Sequence, residues 1–240
     1  MQTVQVIARS HCMRLAAVIA LPLLCETMAA EPSAPVVIFP PDLMGAQLFA
    51  QACAVCHGPK GEGNVELSSP SIARQPAYYV RQQLRNFREN RRGTDPTDAQ
   101  GVTMAAIAKL LQPDQIESVA RHIETMPRVS PDPLTVEGAD LKEGRWLYEM
   151  RCMECHRFNA SGELAFGSPP LLGLQGWYLI SQMQKFKNGQ RGTAAGDVNG
   201  AKMVFAAGFI ENDQVLRDIV GYILSLNPAP ASGHFEPSGR

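Results

Sequence analysis

Charge is scarce in this chain of 240 residues: charged side chains make up 19%, with 22 basic against 23 acidic residues and a formal net charge of -1. That excludes a strongly basic nucleic-acid binder and a highly charged disordered polymer. Long apolar runs are missing too. The clearest, Leu15 to Leu24, falls short of a membrane span, which excludes a polytopic membrane protein. Six cysteines are too few to staple a chain of this length, so their spacing must explain them. No convincing alternation of apolar and polar residues marks a strand, which leaves a helical protein.

The N-terminus has three parts. Arg9, His11 and Arg14 precede the apolar run, and the small residues Ala29 and Ala30 come before the polar Glu31. This pattern predicts an export signal over residues 1–30, cut after Ala30, and hence a periplasmic protein. A retained anchor would need a longer run, and Leu24 is a poor small residue for lipoprotein cleavage before Cys25. Loss of the signal removes Cys12 and Cys25 and leaves 20 basic against 22 acidic residues, a formal -2.

The remaining chain is a duplication. Cys53-Ala54-Val55-Cys56-His57 recurs as Cys152-Met153-Glu154-Cys155-His156, an offset of 99 residues. The same offset carries Gly45, Leu48 and Phe49 onto Gly144, Leu147 and Tyr148, Pro70 onto Pro169, and Tyr78-Tyr79 onto Trp177-Tyr178. It carries Gln83, Phe87, Gly93, Thr94 and Met104 onto Gln182, Phe186, Gly192, Thr193 and Met203. The helical stripe Val80, Leu84, Phe87 reappears as Leu179, Met183, Phe186. Pro113 and Asn212 suit helix starts, after which Ile116, Val119, Ala120 and Ile123 match Leu216, Ile219, Val220 and Ile223 at offset 100. One residue is therefore inserted between Met203 and Asn212. The organisation predicted is a proline-rich N-terminal tail (31–41), a first helical domain (42–126), a linker with three prolines (127–134), a second domain (135–227) and a C-terminal tail (228–240).

A Cys-x-x-Cys-His motif reads as covalent haem attachment, the two thiols forming thioethers and the histidine reaching the iron. One helical turn sets both thiols along one edge of the macrocycle. A thioredoxin-like pair would need a β-α-β pattern, a zinc site would not need a histidine after each pair, and neighbouring disulfides would leave both histidines coincidental. Cys53, Cys56, Cys152 and Cys155 are thus the candidate attachment residues for two haem c groups, with His57 and His156 as proximal ligands. Met104 and Met203 each lie 51 residues after the first cysteine of their half. As the methionines that the halves place identically, they are the candidates for the other axial position. Met44, Met126, Met150, Met153 and Met183 have no such equivalents. His/Met ligation at both irons closes both sites, which fits electron transfer rather than oxygen or peroxide chemistry.

These motifs, from Gly45 to Leu226, make the chain resemble the tandem dihaem class I cytochromes c, most like the cytochrome c4 family. The resemblance implies an all-α fold of two cytochrome c-like domains, each a small helical bundle wrapped around one haem. It implies that Gly45–Phe49 and Gly144–Tyr148 cross the last helix of their domain against an aromatic, for which Tyr222 fits and His122 departs. His122 is read as a packing residue rather than an alternative ligand. It also implies that the Pro70 and Pro169 carbonyls accept the second imidazole N–H of His57 and His156. The implied role is a non-enzymatic electron carrier between a quinol-oxidising cytochrome bc complex and a terminal oxidase. The alternative is the electron-accepting subunit of a periplasmic dehydrogenase; a dihaem peroxidase or sulfur-compound oxidoreductase would need an open iron. Peripheral contact with a membrane is compatible with either role. Arg81, Arg85, Arg88 and Arg92 fall at i, i+4, i+7 and i+11, one predicted basic stripe available to a solvated face, haem propionates or an acidic partner.

Overall fold

The computed structural model describes residues 44–228. The expected export segment, the proline-rich residues after it, the first two residues of the expected first domain and the C-terminal tail beyond Pro228 lie outside them. The described residues form helices joined by glycine-rich loops, and the pairing seen is two isolated bridges, Asn64 with Ser69 and Glu163 with Ser168.

The first half runs α1 (Gly45–Leu48), a π-turn (Phe49–Cys53), α2 (Ala54–His57), α3 (Ala77–Arg88), α4 (Ala99–Leu110) and α5 (Pro113–Thr125). The second runs α6 (Leu141–Arg151), α7 (Met153–His156), a 3-10 turn (Leu164–Phe166), α8 (Gly176–Lys187), α9 (Val198–Ala207) and α10 (Asp213–Ser225). The predicted helix starts are where the sequence places them: Pro113 opens α5, and the Asn212 side chain accepts from the backbone N–H groups of Gln214 and Val215. Ile116, Val119 and Ile123 are buried in the first core, and Leu216, Ile219, Val220 and Ile223 in the second.

In each half the last helix crosses the first at a glycine. A Cβ on Gly45 would collide with the Ser118 carbonyl, and one on Gly144 with the Asp218 carbonyl. Beside these crossings Phe49 meets His122 with ring centroids 5.4 Å apart, and Tyr148 meets Tyr222 at 5.5 Å. His122 thus takes the place of an aromatic in the packing. Because backbone cannot yield as a side chain does, Gly144→Ala is expected to cost about 3 kcal/mol, read as a lower midpoint of urea unfolding.

The linker is docked rather than merely extended. Val129 packs on the first core, Pro131 is buried, and Arg128 Nη1 donates to the Leu172 carbonyl at 2.9 Å. No helix among the described residues is long and apolar enough to cross a membrane.

Candidate functional site

The two Cys-x-x-Cys-His segments fold alike. Each places its last four residues in one helical turn, α2 or α7, with the histidine at the end. His57 is 7% exposed and His156 6%. A carbonyl can only accept, so each Nδ1–H donates, His57 to Pro70 O at 2.8 Å and His156 to Pro169 O at 3.0 Å. Each ring is fixed with its Nε2 lone pair free for a metal. Burial holds both imidazoles below their ordinary pKa, against the pull of those carbonyl bonds, so they stay neutral, the form that ligates. None of the four cysteines is in a disulfide, and burial pushes the Cys53 and Cys152 thiols up to about 12. The two pairs do not converge: among the described residues no three His, Cys, Asp or Glu side chains are placed to hold a metal ion by themselves.

Met104 lies on α4 and Met203 on α9, both half-buried. On the same face stand Gly101 and Ala108 around Met104, and Gly200 and Ala207 around Met203, at i-3 and i+4; all four are buried. Each methionine is therefore flanked along its stripe by side chains no larger than a methyl. Both helices begin with an aspartate cap, Asp98 accepting from Gly101 N and Asp197 from Gly200 N, each at 2.9 Å.

Between the halves runs a seam with approximate twofold character. Arg92 donates from Nη1 to Gln83 Oε1 (2.7 Å) and from Nη2 across the seam to Gln182 Oε1 (2.9 Å) and the Tyr178 hydroxyl (3.4 Å). Arg191 does the reverse, from Nη1 to Gln182 Oε1 (2.7 Å) and from Nη2 to Gln83 Oε1 (3.0 Å) and the Tyr79 hydroxyl (3.3 Å). Each guanidinium lies 4.4 Å from a ring centroid of its own half, Phe87 or Phe186. Both arginines are buried, and neither is in ion-pair range of a described carboxylate. Arg92 Nε is buried with no partner at all. Burial would raise the Tyr178 phenol, but the two cations more than offset it and leave it below its ordinary range. The seam thus carries concentrated positive charge against neutral partners. It also holds one buried ion pair, Lys185 Nζ to Asp98 Oδ1 at 2.6 Å.

This arrangement corrects the predicted basic stripe. Helix α3 ends at Arg88, and Arg92 follows a turn in which Asn90 has φ 57°. Arg81 pairs with Glu117, Arg85 is exposed, and Arg92 alone enters the seam. The sequence reading passed over Arg92 and Arg191 as a pair, although they share the 99-residue offset that exposes the duplication.

A cytochrome c family model matches residues 44–127 and again 141–227. The chain belongs to the cytochrome c family. Among relatives of this cytochrome c, the thiosulfate dehydrogenase electron acceptor of Stutzerimonas stutzeri is 30% identical over 165 residues, covering 65% of this chain and 72% of that protein. Cytochrome c4 of Azotobacter vinelandii is 37% identical over 73 residues, covering 30% and 33%. Of solved structures, Acidithiobacillus ferrooxidans cytochrome c4 matches with a TM-score of 0.61 and 26% identity, covering 73% of this chain and 99% of that one. A thiosulfate dehydrogenase from Marichromatium purpuratum matches with a TM-score of 0.62 and 26% identity, covering 82% of this chain but only 42% of that one.

Cytochrome c domains imply covalently bound haem c, and the residues present fit the group. Two cysteines outside any disulfide precede a neutral, carbonyl-anchored histidine in each half, and a methionine thioether stands between small residues. At the seam, buried guanidiniums and an orphaned Nε are donors suited to the carboxylates such a group carries.

Proposed function

We propose that this cytochrome c is a periplasmic dihaem electron carrier that accepts single electrons from a dehydrogenase acting on a sulfur compound. Cys53 and Cys56 would hold the first haem, with His57 and Met104 as axial ligands; Cys152 and Cys155 would hold the second, with His156 and Met203. The observation that carries the reading is the matched donor set, in which each half presents an anchored neutral histidine and a methionine flanked by small residues. When bound, each haem supplies a one-electron Fe(III)/Fe(II) couple. The chain's part is to fix that couple: the Pro70 and Pro169 carbonyls orient the imidazoles and raise their basicity, while the soft methionine sulfurs favour the reduced metal. A closed site has no catalytic position, so the protein transfers electrons without transforming a substrate.

The choice of a dehydrogenase donor is supported by the relatives named as electron acceptors of thiosulfate dehydrogenase, from Stutzerimonas stutzeri and Thiomonas intermedia. The second reading, transfer from a cytochrome bc complex to a terminal oxidase, is favoured by the likeness to cytochrome c4. The test is to purify the oxidised holoprotein, record its magnetic and optical spectra, and mix it in turn with thiosulfate plus a thiosulfate dehydrogenase, and with a cytochrome bc complex plus quinol. The expected result is two low-spin irons taking up two electrons per chain from the dehydrogenase. A high-spin iron overturns the closed sites, and faster reduction by the bc complex overturns the donor.

A further inference from the structure

The duplication allows each surface feature of one half to be compared with its counterpart in the other. Among the described residues every exposed Phe or Trp lies in the second half, where they are Trp146, Phe158, Phe166, Phe205 and Phe209. Exposed large apolar residues of the first half are aliphatic: Met44, Val55, Val65, Leu67 and Val102.

Two of the aromatics join into one ridge, and a lysine ties the backbone of a third, Phe166, to it. Phe205 and Phe209 meet edge-on with centroids 5.1 Å apart, and the Arg151 guanidinium stands 4.7 Å from the Phe209 centroid. Lys202, one turn before Phe205 on α9, donates from Nζ to the Phe166 carbonyl at 3.0 Å. At the equivalent first-half positions stand Ala52, Leu67, Thr103, Ala106 and Leu110, with neither a ring nor a charge among them. Ridge and haem site are separate. Phe205 lies two residues after Met203, about 200° round the helix, so it faces away from the methionine's stripe and is 73% exposed. Yet the ridge stays close to the redox centre in the chain, since Arg151 adjoins Cys152 and Phe205 shares a helix with Met203.

We infer that this ridge is the docking surface for the electron-donating dehydrogenase, which meets it with an apolar hollow rimmed by carboxylates. The inference rests on the donor proposed above and adds where that donor binds. Exposed aromatics with arginine are the composition that distinguishes the centres of protein interfaces, and large rings are their usual anchors. Charge supplies the rim: neither Arg151 nor Lys202 is ion-paired within the described residues, and Lys202, whose Nζ donates to the Phe166 carbonyl and to Asn199 Oδ1, keeps an uncompensated charge toward a partner's carboxylates. The haem of the second half would thereby be the entry point.

The experiment uses the full dihaem protein, a thiosulfate dehydrogenase and thiosulfate, with stopped-flow reduction rates and a binding titration. F205A/F209A is expected to weaken binding by about thirtyfold or more, while the spectrum and both potentials stay unchanged. K202E, which keeps the ridge's rings, is expected to slow association and flatten its salt dependence. L67S in the first half should leave both within about twofold, as expected of a residue outside the interface. Unchanged binding in F205A/F209A, an equal loss in L67S, or a ridge variant that loses only adhesion to anionic lipid vesicles overturns the docking surface. If the unaltered protein is not reduced by the dehydrogenase, the donor itself is wrong and the docking surface falls with it, a result visible before any variant is made.

Discussion

Replacing Arg92 with leucine is expected to lower the stability of the folded protein by about 1–3 kcal/mol and to loosen the seam between its halves. The guanidinium makes charge-assisted bonds to Gln83 and Gln182 with almost no exposure, so its loss halves the donors to each amide oxygen and leaves only Arg191 to hold them. Leucine keeps contact with Phe87 but supplies no donor. Lysine restores the charge without the fork, and R92K should recover less than half of the loss. Arg191→Leu should behave alike, because its bonds are the mirror of those of Arg92. The decisive measurement is the double variant. Both arginines share Gln83 and Gln182, so the two losses should combine with a coupling of about 0.5–3 kcal/mol. Losses that simply add would show that the arginines do not form one network. Small-angle scattering of the holoprotein should register a larger radius for each single variant.

Met203→Ala is expected to leave the second iron without its sixth ligand, high-spin in the oxidised protein and open to cyanide. Its potential should fall by on the order of 0.1 V, since axial ligands tune haem potentials over most of a volt. Met104→Ala should do the same to the first iron and leave the second alone. Met150→Ala and Met183→Ala supply the contrast: neither has a counterpart at offset 99, and both irons should stay low-spin. Low-spin spectra in both Met104→Ala and Met203→Ala would place the ligands elsewhere, and cyanide binding to the unaltered protein would show an open iron from the start. Each substitution would remove the proposed ligand from a half-buried position in its helix.

How far the sequence could be read follows from which forces are local. The Cys-x-x-Cys-His turns, the start of α5 at Pro113 and the cap at Asn212 depend on a few neighbouring residues, and the structure places them as expected. The internal repeat did more than any periodicity, because a position retained twice reports on packing that a single copy cannot reveal; Gly45 and Gly144 are examples. Periodicity misled at Arg92. Spacing of i, i+4, i+7 and i+11 continues in the sequence whether or not the helix does, and the left-handed turn at Asn90 ended it first. The docking of Arg128 and Val129 was equally out of reach, since prolines restrict the linker's backbone but do not say what surface lies beneath it. The aspartate caps Asp98 and Asp197 are legible as a matched pair at the same offset, since each is a good N-cap residue just before a helix.

The seam has a consequence for ancestry. Each half contributes the same arginine, glutamine and tyrosine, and each trio is satisfied by the other, which is the condition a surface must meet to bind a second copy of itself about a twofold axis. A protein of one half alone would already hold what a homodimer requires, and joining the genes would preserve the contact while freeing the copies to diverge. Divergence has since reached the contact. Lys185 grips Asp98 across the seam, whereas Asn86, its equivalent, is buried with its amide nitrogen unpartnered near the end of α3. A symmetric dimer would carry such a lysine twice, whereas the fused pair carries it once, with Asn86 in the equivalent place.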